Sequence, residues 1–187
     1  MKTNMRSLML GAALASGTAL GSVAFAQEMA PVPTPMPAPT AAKPQAATEA
    51  YANAAAIGDM FEIEAANLAW DRSKSENVKA FAKMMIADHT ATSAKLKVLV
   101  DQNDGALPGD LDESHDAMLD QLKAADDAQF DQLYLSQQET AHEEALKLHQ
   151  DYAANGDNDA FKTFASDTAK KVQEHMKALK TLTPSQG

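Results

Sequence analysis

Between Thr48 and Leu182 the apolar residues recur at steps of three, four and seven, and no stretch shows the single alternation of a half-buried strand. That period predicts four long helices. The first runs from Thr48 to about Asp71, with Ala54, Ile57, Phe61, Ala65 and Leu68 inward. A very short turn then leads to a capping box, Ser73-x-x-Glu76, which opens a second helix with Val78, Phe81, Ala82, Met85, Leu96 and Leu99 on its buried stripe. Asn103-Asp104-Gly105 and Pro108-Gly109 stop it, because both clusters favour turns over helix. A short amphipathic segment from Asp112 to about Ala125 follows, with Met118, Leu119 and Leu122 on one side. Asp126-Asp127 caps the third long helix, whose inner face carries Phe130, Tyr134, Ala141, Ala145, Leu148 and Tyr152. Asn155-Gly156 ends it, and Asp157 or Asp159 opens the fourth, with Phe161, Phe164, Ala165, Val172, Leu179 and Leu182 inward.

Tight connections make neighbouring helices antiparallel. The expected architecture is therefore all-α, an antiparallel four-helix bundle over residues 48–183 with an additional short helix between helices 2 and 3. Outside that span the pattern changes. Lys2 and Arg6 precede a run of small and apolar residues, and Ala24-Phe25-Ala26 offers small residues at both recognition positions, so residues 1–26 read as a secretory signal peptide cleaved before Gln27. Residues 27–47 hold six of the chain's eight prolines with almost no large apolar side chains and form a Pro/Ala-rich disordered linker. Residues 184–187, opened by Pro184, are a disordered tail. These features predict an exported, periplasmic protein.

Charge narrows the partners. Removing residues 1–26 leaves 14 basic residues against 26 acidic ones, a net charge of −12. Such a surface repels nucleic-acid phosphates and anionic lipid. No apolar stretch after the leader is long enough to cross a bilayer. The chain has no cysteine, so its own core must hold the fold.

Phe61-Glu62-Ile63, Leu68-Ala69, Val78-Lys79-Ala80-Phe81-Ala82, Met85-Ile86-Ala87-Asp88-His89, Phe130-Asp131-x-x-Tyr134, Ala141-His142 and Glu174-His175 together resemble a widespread bacterial exported domain of unknown function. Its members are commonly labelled membrane or outer-membrane proteins. The resemblance covers roughly residues 48–182 and implies a ferritin-like bundle with no settled activity.

Three histidines on separate helices are the candidate chemistry. On a helical wheel His89 and His175 each fall about 40° from the middle of their apolar stripes, and His142 lies toward the edge of its own, near Gln138 and His149. Glu62 and Glu64 flank the centre of the first helix about equally, and the resemblance favours Glu62. By height along straight helices Glu62 and His89 match within about a turn, whereas His142 and His175 differ by about 7 Å.

A ferritin-like di-iron centre needs paired Glu-x-x-His motifs. Only Glu139-x-x-His142 is present, with Ile86 and Val172 in the other two positions, which disfavours a di-iron oxidase. The expected site is a single Zn, Cu or Fe ion held by His89, His142, His175 and Glu62 or Glu139, with a role in envelope metal handling or redox protection. Asp88 either orients an imidazole or points to solvent, and His115 is expected to be exposed. The rival is a metal-free structural or interaction module, with an envelope protein or a second copy as partner, whose histidines pack the core. No Ser-His-Asp order, glycine-rich phosphate loop or basic aromatic patch points to another chemistry.

Overall fold

The computed structural model describes residues 46–182. The leader expected over residues 1–26, most of the linker and the tail lie outside these residues. Five helices and no strand are present among them: α1 (Ala46–Arg72), α2 (Glu76–Asp101), α3 (Glu113–Ala124), α4 (Asp127–Asn155) and α5 (Asp159–Leu179). No described helix is long and apolar enough to cross a membrane. Helix α1 starts at Ala46, two residues inside the expected linker, because Thr48 and Tyr51 already find buried partners there.

The caps differ in detail from expectation. Ser75, not Ser73, caps α2, its hydroxyl accepting from the Val78 N–H. Ser73 instead donates to Asp131 of α4 at 3.0 Å and ties the α1–α2 turn to the next pair of helices. Asn158 opens α5 by accepting from the N–H groups of Ala160 and Phe161, which frees Asp157 to meet Thr48 and Tyr152. Asp104, in the left-handed region at φ 53°, closes the C-terminal end of α2.

Helices α2 and α5 bury most of the stripes their periodicity predicts: Val78, Phe81, Ala82, Met85 and Leu96 on one, with Leu99 half-buried, and Phe161, Phe164, Ala165, Val172 and Leu179 on the other, with Leu182 half-buried beyond its end. Helices α1 and α4 do so only in part, with Phe61 and Ala65 on the first and Phe130, Tyr134 and Tyr152 on the second buried as expected. On α1 the buried face is Tyr51, Ala52, Ala55, Ala56, Asp59, Phe61, Glu62, Ala65, Ala66 and Ala69, while Ala54 is exposed and Ile57 and Leu68 are half-buried. On α4 it includes Gln137, Gln138, His142 and His149, with Ala141, Ala145 and Leu148 only half-buried. Both helices are rolled so that polar residues point inward.

Buried apolar residues form two clusters. One gathers Phe61, Ala65, Val78, Phe81, Met85, Leu119, Phe130, Tyr134 and Leu179; the other gathers Tyr51, Ala55, Leu96, Val100, Tyr152, Phe161 and Ala165. Between these clusters every long helix buries polar residues: Asp59 and Glu62 on α1, His89 on α2, His142 and His149 on α4, His175 on α5. A polar layer thus separates two apolar ones.

Two glycines should respond oppositely to alanine. A Cβ on Gly58, inside α1, would meet nothing within 4 Å, whereas one on Gly156, after α4, would fall 2.5 Å from the Tyr152 ring and 2.6 Å from its carbonyl oxygen. Gly58→Ala should stabilise the fold by about 0.5–1 kcal/mol through helix propensity. Gly156→Ala should destabilise it by about 1 kcal/mol or more. Urea titrations of both variants read the two signs.

Candidate metal centre

His89, His142 and His175 come from three helices, are all buried, and each offers a ring nitrogen within 4.8 Å of the other two. The pair expected to be mismatched in height is in fact the tightest, with His142 Nε2 3.3 Å from His175 Nδ1. Helical Cα–Cβ bonds tilt toward the N-terminus. His142 therefore leans away from the α4–α5 turn and His175 leans toward it, which closes the gap that straight counting leaves.

The other nitrogen of each ring faces an acceptor. His89 Nδ1 donates to Asp59 Oδ1 at 2.8 Å, and Asp59 Oδ2 accepts in turn from the Ser93 hydroxyl at 3.0 Å. His142 Nδ1 donates to the Gln138 carbonyl at 2.8 Å, with Glu62 Oε1 3.3 Å away. His175 Nε2 donates to Asp88 Oδ2 at 2.8 Å. A neutral imidazole that donates through one nitrogen presents a lone pair on the other. The lone pairs are then on His89 Nε2, His142 Nε2 and His175 Nδ1. His89 Nε2 is buried without a partner, and the other two face one another. Lone pairs set in this way are satisfied by a hydrogen-bond donor, a proton or a metal cation.

Electrostatics follow from burial and these contacts. Burial lowers His175 to about 4 against the pull of Asp88, which keeps the ring neutral at ordinary pH. For His89 burial also acts downward, but the bond to Asp59 and the negative charges of Glu62, Asp59 and Asp88 prevail and raise it. Burial raises Asp59 in its turn, although His89 and Ser93 partly offset this, so the pair holds a proton more firmly than either group alone in water. Glu62 is pulled below the usual carboxylate range: burial opposes this, but His142, His89 and Gln138 outweigh it. Asp88 is lowered too, His175 and Lys171 outweighing its slight burial.

Of the residues anticipated from sequence, His89, His142 and His175 converge, and Glu62 rather than Glu64 is buried beside them. Glu62 touches the far nitrogen of His142, which makes it an orienting group there rather than a member of the triad of converging nitrogens. Glu139 is exposed and lies outside the cluster. Asp88 does orient an imidazole, that of His175 and not of its neighbour His89. His115 is half-buried, its ring 5.2 Å from that of Phe61. Asp59 was missed; its place one turn before Glu62 on the same face was the available signal.

A cleft of about 240 Å³ opens between α1 and α4 onto this layer, bordered by Asp59, Glu62, His89 and His149. There His149 Nδ1 and the Tyr51 hydroxyl are hydrogen-bonded at 2.9 Å, and Tyr51 stacks on Tyr152 with ring centroids 4.0 Å apart.

A family described as a domain of unknown function (DUF4142) matches residues 33–182. The chain belongs to that family. The DUF4142 match includes all five helices and every residue of the buried histidine layer. No curated protein and no solved structure matches the chain.

Burial, aided by the charge of His89, lowers His149 to about 4. The unfolded chain therefore binds a proton near pH 6.5 that the folded chain refuses until about pH 4. Stability tied to this group is present above pH 6.5 and is lost as the pH falls toward 4. Relative to wild type, His149→Gln should lose less stability between pH 7 and pH 4.5, by on the order of 3 kcal/mol at most. Urea unfolding of the metal-free proteins at the two pH values measures the difference.

Proposed function

We propose that this DUF4142 protein is an exported, ferritin-like helical bundle whose buried layer binds one transition-metal ion through His89, His142 and His175, for metal handling or redox protection in the envelope. One observation carries the reading: each imidazole is engaged at one nitrogen by a carboxylate or carbonyl, so that three lone pairs converge. Ligating histidines are commonly oriented in this way. The donor set is nitrogen-rich and suits Zn, Cu or Fe better than Mg or Ca, which prefer oxygen. The 3.3 Å between His142 Nε2 and His175 Nδ1 equals about the edge of a tetrahedron with bonds near 2 Å, and a ring nitrogen of His89 lies within 4.8 Å of both.

Three imidazoles leave a fourth position for water or another ligand. A di-iron arrangement finds no support at the two positions that would need glutamates, where Ile86 and Val172 stand. Export rests on the charged, apolar and small-residue pattern of residues 1–26, and a mature chain beginning at Gln27 is the expected product.

Protein purified without an affinity tag should carry close to one Zn, Cu or Fe per chain, and saturation at about 100 times Kd should raise stability by ~2.7 kcal/mol. Asp59→Asn and Asp88→Asn should each weaken affinity by about 10–100-fold without abolishing binding, and His89→Gln with His175→Gln should abolish it. Elemental analysis and competition with a chelating dye read these outcomes. Equal, substoichiometric metal in the wild type and the double histidine variant would sink the proposal and favour the metal-free interaction module.

A further inference from the structure

Two openings flank the histidine layer. The cleft between α1 and α4 is bordered by Asp59, Glu62 and Glu144, and no lysine or arginine lines it. A groove on the α2–α5 side reaches Asp88, but Lys95 and Lys171 line it, and the Lys171 ammonium sits 3.6 Å from the Asp88 carboxylate. The first opening attracts a cation, whereas in the second Lys95 and Lys171 offset the charge of Asp88 and Asp167.

Within the α1–α4 cleft the two buried polar atoms that lack a partner, Glu62 Oε2 and His89 Nε2, belong to residues on its wall. The wall also carries small residues, including Ala55, Gly58 and Ala145, beside His115, Leu148, His149 and Val172, and a Cβ added at Gly58 would meet only open space.

We propose that the α1–α4 cleft is the route by which a divalent cation reaches the buried histidines, with exposed Glu144 at its mouth and the Glu62 carboxylate inside handing the cation to His89. The inference rests on the metal-centre reading. It adds the ligand class the cleft admits, a small hydrated divalent cation and not an anion.

Stopped-flow absorbance of Co²⁺ uptake by the metal-free, full-length mature protein tests it. Gly58→Leu and Ala145→Leu, which fill the cleft from facing helices, should each slow uptake about tenfold while the final stoichiometry stays at the wild-type value. Glu144→Gln should slow it by a smaller factor, about two- to fivefold, at low ionic strength and much less at high salt. Lys95→Glu, in the opposite groove, should leave the rate unchanged. Gly58→Leu also removes a helix glycine, so its folding is favoured, and Ala145→Leu provides an independent check. Wild-type rates in both cleft variants, loss of stoichiometry in both, or faster uptake by Lys95→Glu would overturn the route while leaving the centre intact. No Co²⁺ uptake by the wild type would overturn the centre itself.

Discussion

Every buried imidazole nitrogen in this fold must meet a donor, an acceptor or a cation, and that requirement organises the molecule. An unsatisfied buried polar atom costs about 1–3 kcal/mol, and three rings in one layer bring six nitrogens to satisfy. Asp59, Asp88 and the Gln138 carbonyl, with Glu62 alongside, take one nitrogen of each ring. The remaining three nitrogens point at a common space. Removing any one acceptor would loosen the orientation of its ring and weaken the convergence.

The same demand accounts for the division of the core. Asp59 and Glu62, which face the rings from α1, are buried, and buried carboxylates cannot sit on a continuous apolar stripe. Helix α1 therefore rolls Asp59 and Glu62 inward, and α4 rolls Gln138, His142 and His149 inward, at the expense of Ala54, Ala141 and Leu148. Apolar burial is restored above and below the layer, around Phe61, Phe81 and Phe130 at one level and around Tyr51, Leu96 and Phe161 at the other. The two clusters wall the layer above and below, which lowers the local polarity and strengthens the charge-assisted bonds within it.

Most of the architecture was legible in the chain because α2 and α5 obey simple helical periodicity; their buried residues are those that steps of three and four select. Periodicity held only in part for α1 and α4 for a physical reason: it assumes that apolar residues mark the inside, and here Asp59, Glu62, His142 and His149 are turned inward as well. His89 and His175 were visible because they interrupt clean stripes. Asp59 was not, because an aspartate next to a glycine on a weakly patterned helix looks like a solvated residue. The height of His175 relative to His142 was misjudged because counting along an axis ignores the tilt of helical side chains. The Asp88–His175 pair joins residues 87 apart in sequence, a distance over which no local pattern speaks.

Charge balance explains why a proton and a metal ion would compete for one place. Asp59 and Glu62 are buried and Asp88 is held low by its neighbours, so the layer is rich in negative charge when all three imidazoles are neutral. A proton on His89 relieves part of this, which is why His89 is raised although burial acts to lower it. For His175 burial prevails over the pull of Asp88, so the ring stays neutral and keeps its lone pair available. A divalent cation at the convergence would displace the proton from His89 and supply more positive charge than the proton does, in the same position. On the proposed reading the raised His89 is the proton-bound form of the metal centre, and binding should release protons in proportion to how far His89 is charged at the working pH.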